Sequence, residues 1–333
     1  MQAPAVKYFL FMLRNSPRFA TIIAVLLLAE ISFCHAQFQR PNSSHPEKII
    51  IDTDIGDDID DAFAVALALR SPEVQIVGIT TTFGDTEIRA KLLDRLLGEA
   101  GRTDIPVAMG TRDPKIQTSL SQRRYAEGGH FARASHTSAV DFILDQIRQH
   151  PGEITLVAIG PQVNLGALID KDPQTFRKLR RVVLMGGSIY KGYGDWGYFP
   201  PRGPEPEWNL KNDPVSARKV LASGVPIYMM PLDSTQLKMG EVKRAILFQA
   251  GTPITDALTL LYHEWGQETP TLFDPMTIAF IDNPKLCPVT PMHITIDDNG
   301  MTRPTEGPPN VQVCLESSSD AFFRFYIPRV VGK

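Results

Sequence analysis

Cysteine is scarce in this chain, with three in 333 residues. That excludes a fold built on a network of disulfides, and it excludes a zinc site made of four thiolates. A basic surplus is missing too: 34 Lys+Arg stand against 37 Asp+Glu, for a net charge of -3. Generic nucleic-acid binding, which needs cations to neutralise phosphates, is therefore disfavoured. The apolar run Phe19 to Leu28 falls short of the ~20 residues that span a bilayer. Repeats and low-complexity blocks are absent. What remains is 43% hydrophobic and 21% charged, which is too apolar for disorder and ample for a core shared by one or two domains.

The first 36 residues read as a secretory signal peptide. Lys7, Arg14 and Arg18 form a basic start, Phe19–Leu28 an apolar centre, and Cys34-His35-Ala36 a cleavage site with small end residues. An uncleaved anchor is the alternative, and Ile31-Ser32-Phe33 disfavours a lipidated Cys34. The expected address is periplasmic or secreted, with no stable membrane span after cleavage. Only Cys287 and Cys314 would then remain, either bridged or as two buried thiols. Residues 37–47 are polar and rich in Pro and Ser, like a linker.

From 48 to 330 apolar strands alternate with helical patterns. Strand cores are expected at 48–52, 74–81, 154–159, 182–185 and 227–231. Helices are expected at 60–70, 87–97 and around 138–149, 164–170 and 214–223. This alternation predicts an α/β fold, a mostly parallel central sheet with helices on both faces. Residues 187–211, rich in Gly, Tyr and Trp, read as a long loop of the kind that lines a site.

The informative segment follows the first strand. Asp52-Thr53-Asp54-Ile55-Gly56-Asp57-Asp58-Ile59-Asp60-Asp61 holds six aspartates in ten residues at the carboxyl end of a strand, where open α/β sheets bind ligands. Such crowding calls for a cation, and oxygen donors suit Ca2+ or Mg2+ rather than zinc. A solvated acidic loop explains the pattern poorly, because Asp52 and Asp54 end an apolar strand. An Asp-x-Asp phosphatase of the haloacid-dehalogenase type would want Thr where Gly56 stands. A structural Ca2+ loop would lack its later ligands.

The chain closely resembles the inosine–uridine-preferring nucleoside hydrolases. The resemblance rests on Asp52, Asp54, Gly56, Asp60 and Asp61, then Gly78-Ile79-Thr80-Thr81 with Gly84-Asp85. It continues through Ile159-Gly160-Pro161-Gln162-Val163-Asn164, Val182–Gly187, Glu207-Trp208-Asn209 with Asp213-Pro214, and Phe273-Asp274-Pro275. It covers about 48–330 and implies one Rossmann-like domain that hydrolyses ribonucleosides to ribose and free base. By the family pattern Asp54, Asp61, the Ile159 carbonyl and Asp274 would hold Ca2+. Asp54 would act as general base toward an ion-bound water, which makes Asp54 and Asp60 the catalytic pair. Asp60, Glu207, Asn209 and Met185 would bind ribose, with Asp57 or Asp58 as competitors in a turn that is longer than in the shortest members. A homodimer or homotetramer is compatible with the family, although no interface signature is visible.

The base side departs from the pattern. Phe273 stands where pyrimidine-active members carry a leaving-group His, and Phe cannot donate a proton. Trp208, Trp196, Tyr193, Tyr198 and Phe273 could instead form an aromatic wall. His130 and Asp85 are further base-side candidates, and Asp233 either orients a helix or lines the pocket. Phe273 and Val163 also motivate a rival reading, a non-catalytic nucleoside- or sugar-binding protein on the same scaffold.

Overall fold

The computed structural model describes residues 46–332 except 114, 196, 198 and 199. The leader and nearly all of the expected linker thus lie outside the described residues, as do Trp196 and Tyr198. Glu47, the last linker residue, instead opens the first strand: β1 spans Glu47–Thr53. Its carboxylate accepts two hydrogen bonds from Arg181, each at 3.0 Å.

Strands β2 (Val74–Thr81), β3 (Val107–Met109), β4 (Thr137–Ser138), β5 (Ile154–Ala158), β6 (Arg181–Met185) and β7 (Ile227–Met230) follow in the chain. The last four are β8 (Val289–Met292), β9 (Ile294–Ile296), β10 (Thr302–Pro304) and β11 (Val311–Cys314). Nine of these form one sheet in the order β4-β3-β2-β1-β5-β6-β7-β11-β8. All neighbours are parallel except β8, which runs antiparallel to β11 along the edge. β9 and β10 make a separate antiparallel hairpin.

The chain builds outward from β1 to β4 and then returns to place β5 on the other side of β1. The strand order therefore reverses between β1 and β5, and a crevice opens at their carboxyl ends. Asp52 pairs in register with Ala158 across this point and with Thr80 on β2. The three isoleucines of β1 explain why it lies at the centre. Ile49 and Ile51 enter the core on one face and Ile50 the core on the other, all fully buried. A strand covered on both sides reads as an unbroken apolar run.

Helix Asp60–Leu69 packs directly beneath the crevice. Its alanines let neighbouring backbone approach, and Ala62 to Ala68 are all buried. Burying Phe63 contributes about 2–3 kcal/mol, and the Tyr326 hydroxyl donates to the Phe63 carbonyl at 3.0 Å. That bond comes from helix Ser319–Val331. Cys287 and Cys314 form a disulfide that ties the end of β11 to the turn after residues 284–286. No helix among the described residues is long and apolar enough to cross a membrane.

Candidate active site

A cavity of about 460 Å³ sits at the switch point, within the size range of small-molecule sites. Its walls come from many parts of the chain: Asp54, Asp57, Asp58, Asp60 and Asp61, then Gln117 to Ser119, Ile159, Met185, Tyr193, Glu207 to Asn209, Trp265, Gln267, Phe273 and Asp274.

The floor is acidic. Asp60 and Asp61 open helix Asp60–Leu69, and Asp274 precedes helix Pro275–Asp282. Oxygens of Asp60, Asp61 and Asp274 lie within 4.8 Å of one another, and all three residues are buried. The Asp274 N–H donates to Asp60 Oδ2 at 3.3 Å, and Thr53 Oγ1 donates to Asp61 Oδ1. Burial, then repulsion from neighbouring aspartates, Asp54 and Asp58 among them, pushes all three carboxyls well above their ordinary range. Asp54 stands beside them, also buried, and is raised to about 6 by burial although Arg89 pulls it back down. The nearby Trp208 side chain also favours its charged form. The closest acidic group is thus Asp60, Asp61 and Asp274, whereas the family pattern pairs Asp54 with the latter two.

Among the described residues only oxygen donors converge here, they are buried, and their charges repel. That donor set fits a hard divalent cation and would not suit zinc. The first aspartate of the motif does something else. Asp52 Oδ1 accepts from Thr80 Oγ1 at 2.5 Å and Asn164 Nδ2 at 2.7 Å, riveting β1 to β2 and to helix Val163–Lys171. Its Oδ2 has no partner, and burial raises the group to about 7.

Two glycines make the floor possible. Gly56 has φ +118°, a conformation that side chains rarely adopt. Gly160, just past β5, lies so close that a Cβ would sit 2.8 Å from Asp54 Oδ1 and 2.9 Å from Asp54 N.

On the opposite wall Glu207 caps helix Trp208–Asn212, accepting from Asn209 N at 2.9 Å, Leu210 N at 3.2 Å and Gly187 N at 3.0 Å. It is raised to about 7 by burial against those hydrogen bonds. Asn209 donates to the Met185 carbonyl at 3.1 Å, which fixes its amide facing the cavity beside Met185 at the end of β6. The aromatic side is built by Tyr193, Phe273 and Trp208. Tyr193 meets Phe273 edge-to-face at 5.9 Å, and its hydroxyl accepts from the Trp208 backbone N–H at 2.9 Å.

Other candidates fall elsewhere. His130 is exposed and does not line the cavity; its glycine-rich loop packs against Arg95. Asp85 also lies outside, held by Arg112 at 2.9 and 3.1 Å, which pulls its carboxyl down against the cost of burial. Asp233 accepts from Ile189 N and Tyr190 N, both at 2.8 Å, so it pins the long loop instead of lining the pocket. Gln117, Thr118, Ser119, Trp265 and Gln267 line the cavity without any sequence motif to mark them.

Residues 49–324 match the family described as inosine-uridine preferring nucleoside hydrolase. The chain belongs to that family. A pyrimidine-specific ribonucleoside hydrolase RihA of Enterobacter sp. (strain 638) is 34% identical over a 275-residue alignment that covers 76% of this chain and 84% of the relative. A solved plant nucleoside hydrolase superposes with a TM-score of 0.75 at 25% identity, covering 87% of this chain and all of that one. The purine-preferring ribonucleoside hydrolase from Gardnerella vaginalis gives 0.74 at 23% identity, over 86% and 98%, a likeness of fold. The family makes this chain an enzyme of the nucleoside hydrolase kind, an N-glycosidase.

Proposed function

We propose that the chain hydrolyses ribonucleosides to ribose and free base in the cavity at the β1–β5 switch point, with Asp54 as general base and Ca2+ as cofactor. The observation that carries this reading is the convergence of four buried carboxylates, Asp54, Asp60, Asp61 and Asp274, opposite Glu207 and Asn209. Asp54, Asp61, Asp274 and the Ile159 carbonyl would hold the ion, which when bound would supply positive charge that makes water more acidic.

The residues do the rest. Asp54 takes a proton from the attacking water at a carboxylate oxygen. The water oxygen bonds to the anomeric carbon, the bond to the base breaks with its electron pair leaving on the base, and the base takes a proton from solvent. Asp60 and Asn209 orient the ribose hydroxyls, Glu207 accepts from the 5′ hydroxyl, and Met185 packs beneath the ring. The acidic floor stabilises the positive charge that develops on the sugar. Tyr193, Phe273 and Trp208 offer the base an apolar face, and Phe273 has no proton to give. The pyrimidine-specific relative and the purine-preferring neighbour span both base classes, so a substrate panel is the direct test.

Reducing-sugar release should be measured on inosine, guanosine, adenosine, uridine and cytidine, with Asp54→Ala in parallel. Release by the wild type that vanishes in the variant supports the reading. A calcium-loaded protein that releases sugar from none of them favours the non-catalytic binding protein.

We also propose export, with residues 1–36 as a cleaved signal. The basic–apolar–small pattern supports it, as does the Cys287–Cys314 bridge, since such bridges persist in oxidising compartments. Finding the tagged full-length chain in the cytosol would overturn this.

A further inference from the structure

Arg89 is the largest fully buried side chain that the mechanism leaves unused. A guanidinium removed from water is tolerated only when its donors are met. Here the fork faces three ways. Nε donates to the Phe83 carbonyl at 2.9 Å. Nη1 donates to the Asp54 carbonyl and, at 3.0 Å, to the Ile55 carbonyl. Nη2 reaches Asp57 Oδ2 at 2.7 Å and Thr118 Oγ1 at 3.5 Å.

Asp57 passes the contact on. Its Oδ1 accepts from Leu120 N at 2.6 Å and from Ser119 Oγ at 3.0 Å. Its carbonyl accepts from Ser121 Oγ at 2.7 Å. Next to it, the Asp58 carbonyl accepts from Gln122 Nε2 at 2.7 Å, and the Gly56 carbonyl from Gln122 N at 3.2 Å. Leu120 is held at φ 37°, the left-handed region that a leucine avoids on its own. One wall of the cavity, Gln117 to Ser119, is thus fastened to the turn that carries Asp54. Arg89 also engages Asp57, which takes this carboxylate out of the group available to a cation.

We propose that Arg89 and Asp57 are positioning residues, an ion pair between a buried guanidinium and a half-buried carboxylate that sets the Asp54 turn and the 117–120 wall as one unit against the substrate. This rests on the reading of Asp54 as the proton acceptor. Arg89 acts on turnover through the Asp54 backbone, and Asp57 acts on substrate binding through the wall. Lysine at position 89 keeps the charge but cannot reach the Phe83, Asp54 and Ile55 carbonyls together with Asp57. Asparagine at position 57 keeps an acceptor for Leu120 but sets an amide against the guanidinium.

The test uses the full chain with calcium, comparing Asp57→Asn and Arg89→Lys with wild type by steady-state kinetics and by amide hydrogen exchange. For Asp57→Asn, exchange in residues 117–122 should quicken about tenfold or more. KM should rise about tenfold while kcat stays within about threefold. For Arg89→Lys the loss should fall mainly on kcat. A merely structural pair would lower the folded fraction and leave the kcat and KM of the folded protein unchanged, and that result overturns the proposal. Unchanged exchange at 117–122 in Asp57→Asn also overturns it, and this arm needs no activity. If the wild type hydrolyses no nucleoside, the functional reading fails while the exchange result still decides the clamp. If Arg89→Lys does not fold, the KM and exchange results of Asp57→Asn decide the proposal.

Discussion

Replacing Gly160 by alanine should damage catalysis more than stability. The new methyl would sit 2.8 Å from Asp54 Oδ1, 2.8 Å from Thr82 Cγ2 and 2.9 Å from the Asp54 nitrogen. All three distances are shorter than carbon normally tolerates, and two involve the residue read as the general base. Relief cannot come from a flexible side-chain tip, since Asp54 N is backbone. Nearby, Ile159 N donates to the Asp52 carbonyl at 2.8 Å, so β1 and β5 would have to part at their carboxyl ends. Overpacking of this kind costs about 1–3 kcal/mol. Moving a catalytic group by about 1 Å costs roughly 100-fold in rate. The expected result is a folded variant with a modestly lower denaturation midpoint and kcat reduced on the order of 100-fold. Gly240→Ala is the control, because a Cβ there meets nothing within 4 Å. Chemical denaturation and initial-rate kinetics on both variants decide the matter. Gly160→Ala with wild-type kcat would refute the close approach of β5 to Asp54 as a functional constraint.

Three further outcomes follow from the same structure. Calcium at about 100 times its Kd should stabilise the protein by about 2.7 kcal/mol. That gain should shrink as pH falls through about 6, because the raised Asp54 carboxyl takes up protons in competition with the ion; identical melting of chelated and calcium-loaded protein at pH 8 would count against the site. Asp282 has a fully buried carboxylate raised by burial from 3.8 to about 7. Its contribution is complete below pH 3.8 and is lost as pH rises through 7, so Asp282→Asn should gain on the order of 2–4 kcal/mol relative to wild type between pH 5 and 8, and parallel denaturation curves at the two pH values would contradict this. Reducing the Cys287–Cys314 bridge, which spans 27 residues, should cost roughly 3.5 kcal/mol, and an unchanged urea midpoint in dithiothreitol would rule that out.

The central strands were legible because their signal is strong. The unbroken isoleucines of β1 and the run Val74–Thr81 appear where expected, and the acidic turn between strand and helix pointed to the cavity. Less was legible wherever a residue's role depends on a distant partner. Arg89 lies in an amphipathic helix and would ordinarily face water; it is buried because the Asp54–Asp57 turn folds over it. β3 has three residues and β4 two, too few to show a period. Asp85 carries no sign of Arg112, which reaches it from 27 residues away. Thr118 and Ser119 look like any polar loop until Asp57 draws them to the site. The C-terminal edge escaped notice for a different reason: β8 contains a proline and lies half exposed, so it lacks the apolar run of the inner strands.

The walls of the cavity are drawn from sequence positions between 54 and 274, and this has a kinetic consequence. The 54–61 turn supplies Asp54 and Asp61, but the donor set closes only when Asp274 joins them, after most of the chain has been threaded into the sheet. Contacts this remote in sequence form late, since loop closure must be met before they stabilise anything. Calcium affinity should therefore emerge only in the last phase of refolding, and a calcium-sensitive dye in a stopped-flow experiment would report completion of the whole sheet.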